Sequence, residues 1–255
     1  MTNSNLITQN SSQPHLILII GNRFTSFAER HRWAITFSKF EKVWEPQKIK
    51  ASNIIFLPGQ GLHDDQRYRI AKWAISAKNE IITVPERAAR WMAHKHEAKN
   101  ILVSGFYRTE PTHFEGHLLV DDRNELLSDH VHEHLSGMLE METVRQAFLV
   151  VTEQFYLPRG DSPYKNFITL QKSIEFKQFF FPLPALIRFH MIKADLSRLN
   201  RMQFKAQIEL VQAGQICGKA SVEYLVLQKE NVTKKEYCQA ENAMSLLSKN
   251  LNFKP

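Results

Sequence analysis

The chain has two cysteines in 255 residues, Cys217 and Cys238. They fit no CxxC or metal-ligand spacing, and a disulfide framework uses more cysteines in a shorter chain, so a reducing cytoplasm is expected. Long hydrophobic runs are missing too. The densest run near the start, residues 16–20, is too short for a bilayer and follows polar residues without a basic n-region, which predicts no secretory or membrane address. There is no GxGxxG run and no GK[ST]. The loop Pro58-Gly59-Gln60-Gly61, between a predicted strand and a predicted helix, is read as a tight turn, with a phosphate or ribose seat as the alternative. No homeodomain, zinc-finger or RNP-type signature is present, which argues against nucleic acid as a partner. The charge that is present is basic, 33 Lys and Arg against 26 Asp and Glu, and it is spread over segments such as 48–50, 87–99 and 229–235. A net +7 favours an acidic partner. With 43% apolar and 11% aromatic residues, the chain can bury one large core or two modest ones.

Residues 1–14 are polar and rich in Asn and Ser, which predicts a disordered leader. From residue 15 strands and amphipathic helices alternate: strands at 16–20, 33–37, 53–57 and 80–84, helices at 25–31, 65–77 and 86–98. This predicts a small α/β domain over 15–97 with a mainly parallel sheet. All four tryptophans fall within it, so a boundary is placed near residue 98. Beyond it the rhythm changes to strands at 101–106, 113–120, 167–176, 185–196, 202–212 and 220–227 around one helix at 137–155. Residues 211–216 read as a hairpin turn with 217–227 returning antiparallel. Phe189, Met191, Phe204, Ile208 and Leu210 are the expected core of that sheet. The run Phe179-Phe180-Phe181-Pro182 is read as core or strand edge, with an acyl-chain tunnel or dimer surface as the alternative. Residues 231–255 are a C-terminal helix and tail, expected to pack on the rest.

Residues 129–147, DHVHEHLSGMLEMETVRQA, concentrate the chemistry. Three histidines, His130, His132 and His134, lead into a helix start at Ser136-Gly137, where backbone N–H groups and the macrodipole hold an anion or polarise a carbonyl. There is no HExxH and no nearby cysteine, so no metal is expected, and no cofactor either. Glu142, Arg145 and Gln146 flank the apolar stripe of the helix, so the Glu142 carboxyl should be half buried and either paired or shifted in pKa. An i,i+3 ion pair with Arg145 and a catalytic carboxylate both fit that position.

The pattern Asp129-His130, Glu133-His134, Gly137-Met138-Leu139 and Glu142-Thr143-Val144-Arg145-Gln146-Ala147 resembles the A-factor biosynthesis hotdog family, the AfsA-like proteins. The likeness continues through Glu153-Gln154-Phe155-Tyr156-Leu157-Pro158 to Phe167 and Phe176, covering roughly residues 98–230. It implies an α+β protein whose C-terminal hotdog fold wraps an antiparallel sheet around one long helix. Family members usually carry two such repeats in tandem; here there is one motif, which implies a homodimer with sites near the subunit junction. The histidine that hotdog dehydratases place ahead of the glycine falls on Ser128, which argues against dehydration.

The resemblance implies transfer of a β-ketoacyl group from an acyl carrier protein or CoA thioester to a small hydroxylated acceptor, with or without a phosphate, in signal-molecule or secondary-metabolite biosynthesis. Such chemistry needs carbonyl polarisation, a base and a cationic contact. Gly137 and Met138 are the candidate amides, Glu142, His134 and His130 the candidate catalytic groups, and Arg145 and Gln146 the candidate binding groups. No Ser-His-Asp or Cys-His nucleophile is evident, so direct transfer is expected. A hotdog thioesterase or dehydratase, or a non-catalytic acyl-binding module, are the alternatives.

Overall fold

The computed structural model describes residues 15–43, 54–82, 85–126, 133–158 and 166–251. Near the start, four strands form a parallel sheet in the order β2-β1-β3-β4: β1 His15–Ile20, β2 Ala34–Thr36, β3 Ile54–Pro58 and β4 Glu80–Ile81. The helices between them are α1 Thr25–Arg30, α2 Phe37–Val43 and α3 Asp64–Ser76. Strand alternation decides which side each residue of β1 serves. Ile19 faces α2 and α3 and packs with Phe37, Phe40, Phe56 and Ile70. Leu18 and Ile20 face the other way, into a core shared with the C-terminal half.

That half is a six-stranded antiparallel sheet in the order β5-β6-β8-β9-β10-β7. Its strands are β5 Tyr107–Glu110, β6 His113–His117, β7 Asn166–Phe176, β8 Ala185–Asp195, β9 Arg201–Gln212 and β10 Gln215–Leu227. They curl around helix α5, Gly137–Phe155, in the hotdog arrangement. Phe189, Met191, Phe204, Ile208 and Leu210 are all buried, and Phe148 of α5 stacks on Tyr224 of β10 at 4.5 Å between ring centroids. The Thr152 and Tyr224 hydroxyls meet at 2.6 Å, which satisfies two polar groups inside that core. Ala213 and Gly214 turn the β9–β10 hairpin with φ of 50° and 77°, the left-handed pair that a two-residue turn demands.

Four expectations are corrected. The helix expected over 86–98 is only α4, Arg90–Ala93, because Ala88 donates to Val103 and His94 turns left-handed at φ 51°. The strand expected over 101–106 forms single bridges, Arg87 with Ser104 and Val103 with Leu118, and the ladder begins later, at Tyr107. Its apolar run Ile101-Leu102-Val103 is buried residue after residue, covered on both sides rather than alternating. Helix α2 was not expected; Phe37 and Phe40 give it one buried side. The C-terminal helix α6, Lys229–Asn250, exists but does not pack as expected: beyond the buried Val232, residues 233–247 are exposed.

The two sheets are joined through the loop after β3. Gln60 is 2% exposed; its Nε2 donates to Leu118 O and Leu183 O, and its Oε1 accepts from Val120 N. The amides of Gly59, Gln60 and Gly61 donate to Ile19 O, Pro182 O and Val120 O. With all three amides spent on carbonyls, this loop is a turn with none left to cradle a phosphate. Arg87 adds a clamp, with Nε on Asp64 at 2.7 Å and Nη1 on the carbonyls of Ile101 and Leu119. No helix among the described residues is long and apolar enough to cross a membrane.

Candidate functional site

Helix α5 carries the motif residues. Ser136 is its N-cap and accepts from Leu139 N, as expected of a serine there. The amides of Gly137 and Met138 lie in the first turn, where no helical carbonyl precedes them to accept. The segment after β7 folds over that end. A Cβ on Gly137 would lie 3.0 Å from the Phe176 ring, Leu135 N donates to Phe180 O at 2.6 Å, and the His134 ring stands 4.8 Å from that of Phe179. Met138, Phe176 and Phe179 are exposed, so an apolar rim surrounds a polar helix end.

Of the expected residues, the structure gathers His134, Gly137 and Met138 at this end. Glu142, Arg145 and Gln146 lie a turn further on, facing residues 94–106. His130 lies outside the described residues, as does His132. Of the two readings open for Glu142, the ion pair is formed: Arg145 Nε and Nη2 bind its two oxygens at 2.7 Å each. Gln146 Nε2 at 3.0 Å and Lys95 Nζ at 2.9 Å share Oε1. Burial raises the Glu142 pKa, but the bonds from Arg145, Gln146 and Lys95 outweigh it and hold the group at about 2. It is a carboxylate near neutrality and a weak proton acceptor.

Gln146 also takes Leu102 N on its Oε1 and gives Nε2 to Asn100 O. Further along, Glu153 meets His94 at 3.1 Å, and Gln154 pairs with both backbone groups of Phe106. These polar residues thus stitch the helix to a segment that has no ladder of its own, which is where its backbone groups find partners.

One functional candidate was missed. Glu140 sits in the first turn of α5, 4% exposed, and burial pushes its pKa up to about 7. The signal was in the sequence: position 140 lies four before Val144 and seven before Ala147, on the apolar stripe, where a carboxyl is costly. For metal, His63, Asp121 and Asp122 bring ligand atoms within 4.8 Å of one another. Arg123 holds both Asp121 oxygens, and His63 binds Asp122.

The description of the A-factor biosynthesis hotdog domain matches residues 76–228, more than half of the chain. The chain belongs to the A-factor biosynthesis hotdog family. No curated protein matches this family member in sequence. Among solved structures, a thioesterase from Haemophilus influenzae is similar at 14% identity over 48% of this chain and 77% of its own, with a TM-score of 0.35. A phenylacetic acid degradation protein from Thermus thermophilus is 14% identical over 48% and 91%, TM-score 0.33. A dehydratase heterocomplex from Xenorhabdus doucetiae is 15% identical over 57% and 93%, TM-score 0.42.

Proposed function

We propose that this hotdog protein moves a β-ketoacyl group from an acyl carrier protein or CoA thioester to a small hydroxylated, phosphorylated acceptor. The observation that carries the reading is the α5 N-terminus: the Gly137 and Met138 amides, which have no hydrogen-bond acceptor among the described residues, lie beside the apolar rim of Met138, Phe176 and Phe179. The amides would polarise the thioester carbonyl, and the rim would take the acyl chain. The acceptor hydroxyl oxygen attacks the carbonyl carbon; the C–O bond forms, the C–S bond breaks, and the hydroxyl proton passes through His134 to the departing thiolate. His130 is assigned to the same approach as base or orienter. Glu142 acts by fixing Arg145, whose Nη1 edge would meet the acceptor phosphate. The basic balance of the chain suits an acidic carrier protein.

The working unit in this reading is a homodimer. Strand β7 is an eleven-residue edge whose Ile168 and Leu170 are exposed, and such an edge pairs readily with a second copy. The test is intact-mass spectrometry of β-ketoacyl carrier protein incubated with this protein, with and without dihydroxyacetone phosphate. Acceptor-dependent loss of the acyl group supports transfer. Loss without acceptor makes the protein a thioesterase, and an untouched carrier points to an acyl-binding module.

A further inference from the structure

Three elements converge on the Glu140 carboxyl. Its own helix brings it in from the first turn of α5, where side chains lean toward the N-terminus. Strand β10 forms the facing wall: a Cβ on Gly218 would stand 3.0 Å from Glu140 Oε2, so glycine leaves the room the carboxyl occupies. The segment 176–180 closes the end, with Lys177 N and Gln178 N both donating to Cys217 O and Phe176 lying over Gly137.

Within this enclosure Glu140 Oε2 is buried and has no hydrogen-bond partner among the described residues. The other polar side chains that line α5 are matched: Glu142 by three donors, Thr143 by Leu139 O, Gln146 by Leu102 and Asn100, Thr152 by Tyr224, Glu153 by His94. An unmatched buried carboxyl is costly, and a leucine of similar volume would suit the stripe better. The group is also held at about 7 by burial, so near and below neutrality it offers an O–H donor.

We infer that the Glu140 carboxyl O–H is a hydrogen-bond donor to the thioester carbonyl oxygen, acting beside the α5 amides; this rests on the acyl-thioester reading above. Donation needs the neutral acid, so the site favours ligand at lower pH and weakens as Glu140 ionises. Glu142, two residues away, cannot share the task, because its oxygens are accepting already.

The probe is the ketone analogue of octanoyl-pantetheine in which CH2 replaces the thioester sulfur, used with the full chain. Difference infrared spectroscopy follows the protonated carboxyl band across pH, assigned by its loss in Glu140→Gln. The expected result is a band in the wild-type protein that disappears as pH passes about 7 and shifts when the analogue binds. Analogue affinity should fall about tenfold over the same range, and should be flat with pH in Glu140→Gln. A band that does not move with the analogue, or a carboxyl ionised throughout, overturns the assignment, and if Glu140→Gln does not fold, the displaced band of Glu140→Asp makes the assignment instead. Turnover of octanoyl-pantetheine is measured alongside. Turnover with an unmoved band overturns Glu140 alone, whereas a shifted band without turnover counts against the enzyme reading and upholds the donor.

Discussion

Glu140 and Glu142 stand two residues apart on α5, and the fold drives their carboxyls in opposite directions. Burial, with no hydrogen-bond partner to Oε2 among the described residues, pushes Glu140 up to about 7; bonds from Arg145, Gln146 and Lys95 hold Glu142 down at about 2. The offset of two residues turns them to different sides of the helix, one toward Gly218 of the sheet and the other toward Lys95.

For Glu142 the folded pKa lies below the usual 4.5, so its stabilisation is present above that pH and is lost as pH falls toward about 2. Glu142→Gln should cost about 2 kcal/mol at pH 7, with the difference from wild type closing in acid. Urea unfolding at pH 7 and pH 3 measures both. An unchanged midpoint at pH 7 would remove Glu142 from the anchoring role.

Glu140 has the reverse sign. Its folded pKa lies above 4.5, so its contribution is fully present below that value and is lost as pH climbs through about 7. Between pH 4.5 and pH 8.5 the wild-type protein should lose about 3 kcal/mol relative to Glu140→Gln. Parallel denaturation curves of the two proteins across that range would contradict the assignment.

Gln60 should matter more than its place in a loop suggests. Gln60→Leu strips partners from Val120 N and from the carbonyls of Leu118 and Leu183, all in the junction between the sheets. The expected cost is about 2–4 kcal/mol. Chemical denaturation should show it, and a loss under 1 kcal/mol would mean that the junction is held elsewhere.

The dimer proposed through β7 is sensitive to charge on that edge. Leu170→Lys places a cation among exposed apolar residues and should convert a dimer to a monomer in multi-angle light scattering, with the circular dichroism spectrum kept. A wild-type protein that is already a monomer would end the proposal.

Much of this was legible in the residues. Strand periodicity located the long strands of the C-terminal sheet, Ala213-Gly214 marked its hairpin, and Ser136-Gly137 marked the start of α5, because each is a local preference written in a few neighbouring side chains. The sites of failure were segments whose state depends on distant partners. Residues 101–106 have strand composition but spend their hydrogen bonds on Gln146, Leu118 and Arg87 in single contacts. Residues 86–98 have helical composition but surrender their first turn to Val103.

The same division runs through the candidate site. By itself the sequence determined the family motif, the helix that bears it and the amides at its N-terminus, since capping and periodicity act over a single turn or two. Only the tertiary structure decided what the carboxyls do. Lys95 reaches Glu142 from 47 positions away in the chain, Gly218 gives Glu140 its space from 78 positions away, and a pKa depends on which charges and how much water surround a group after folding.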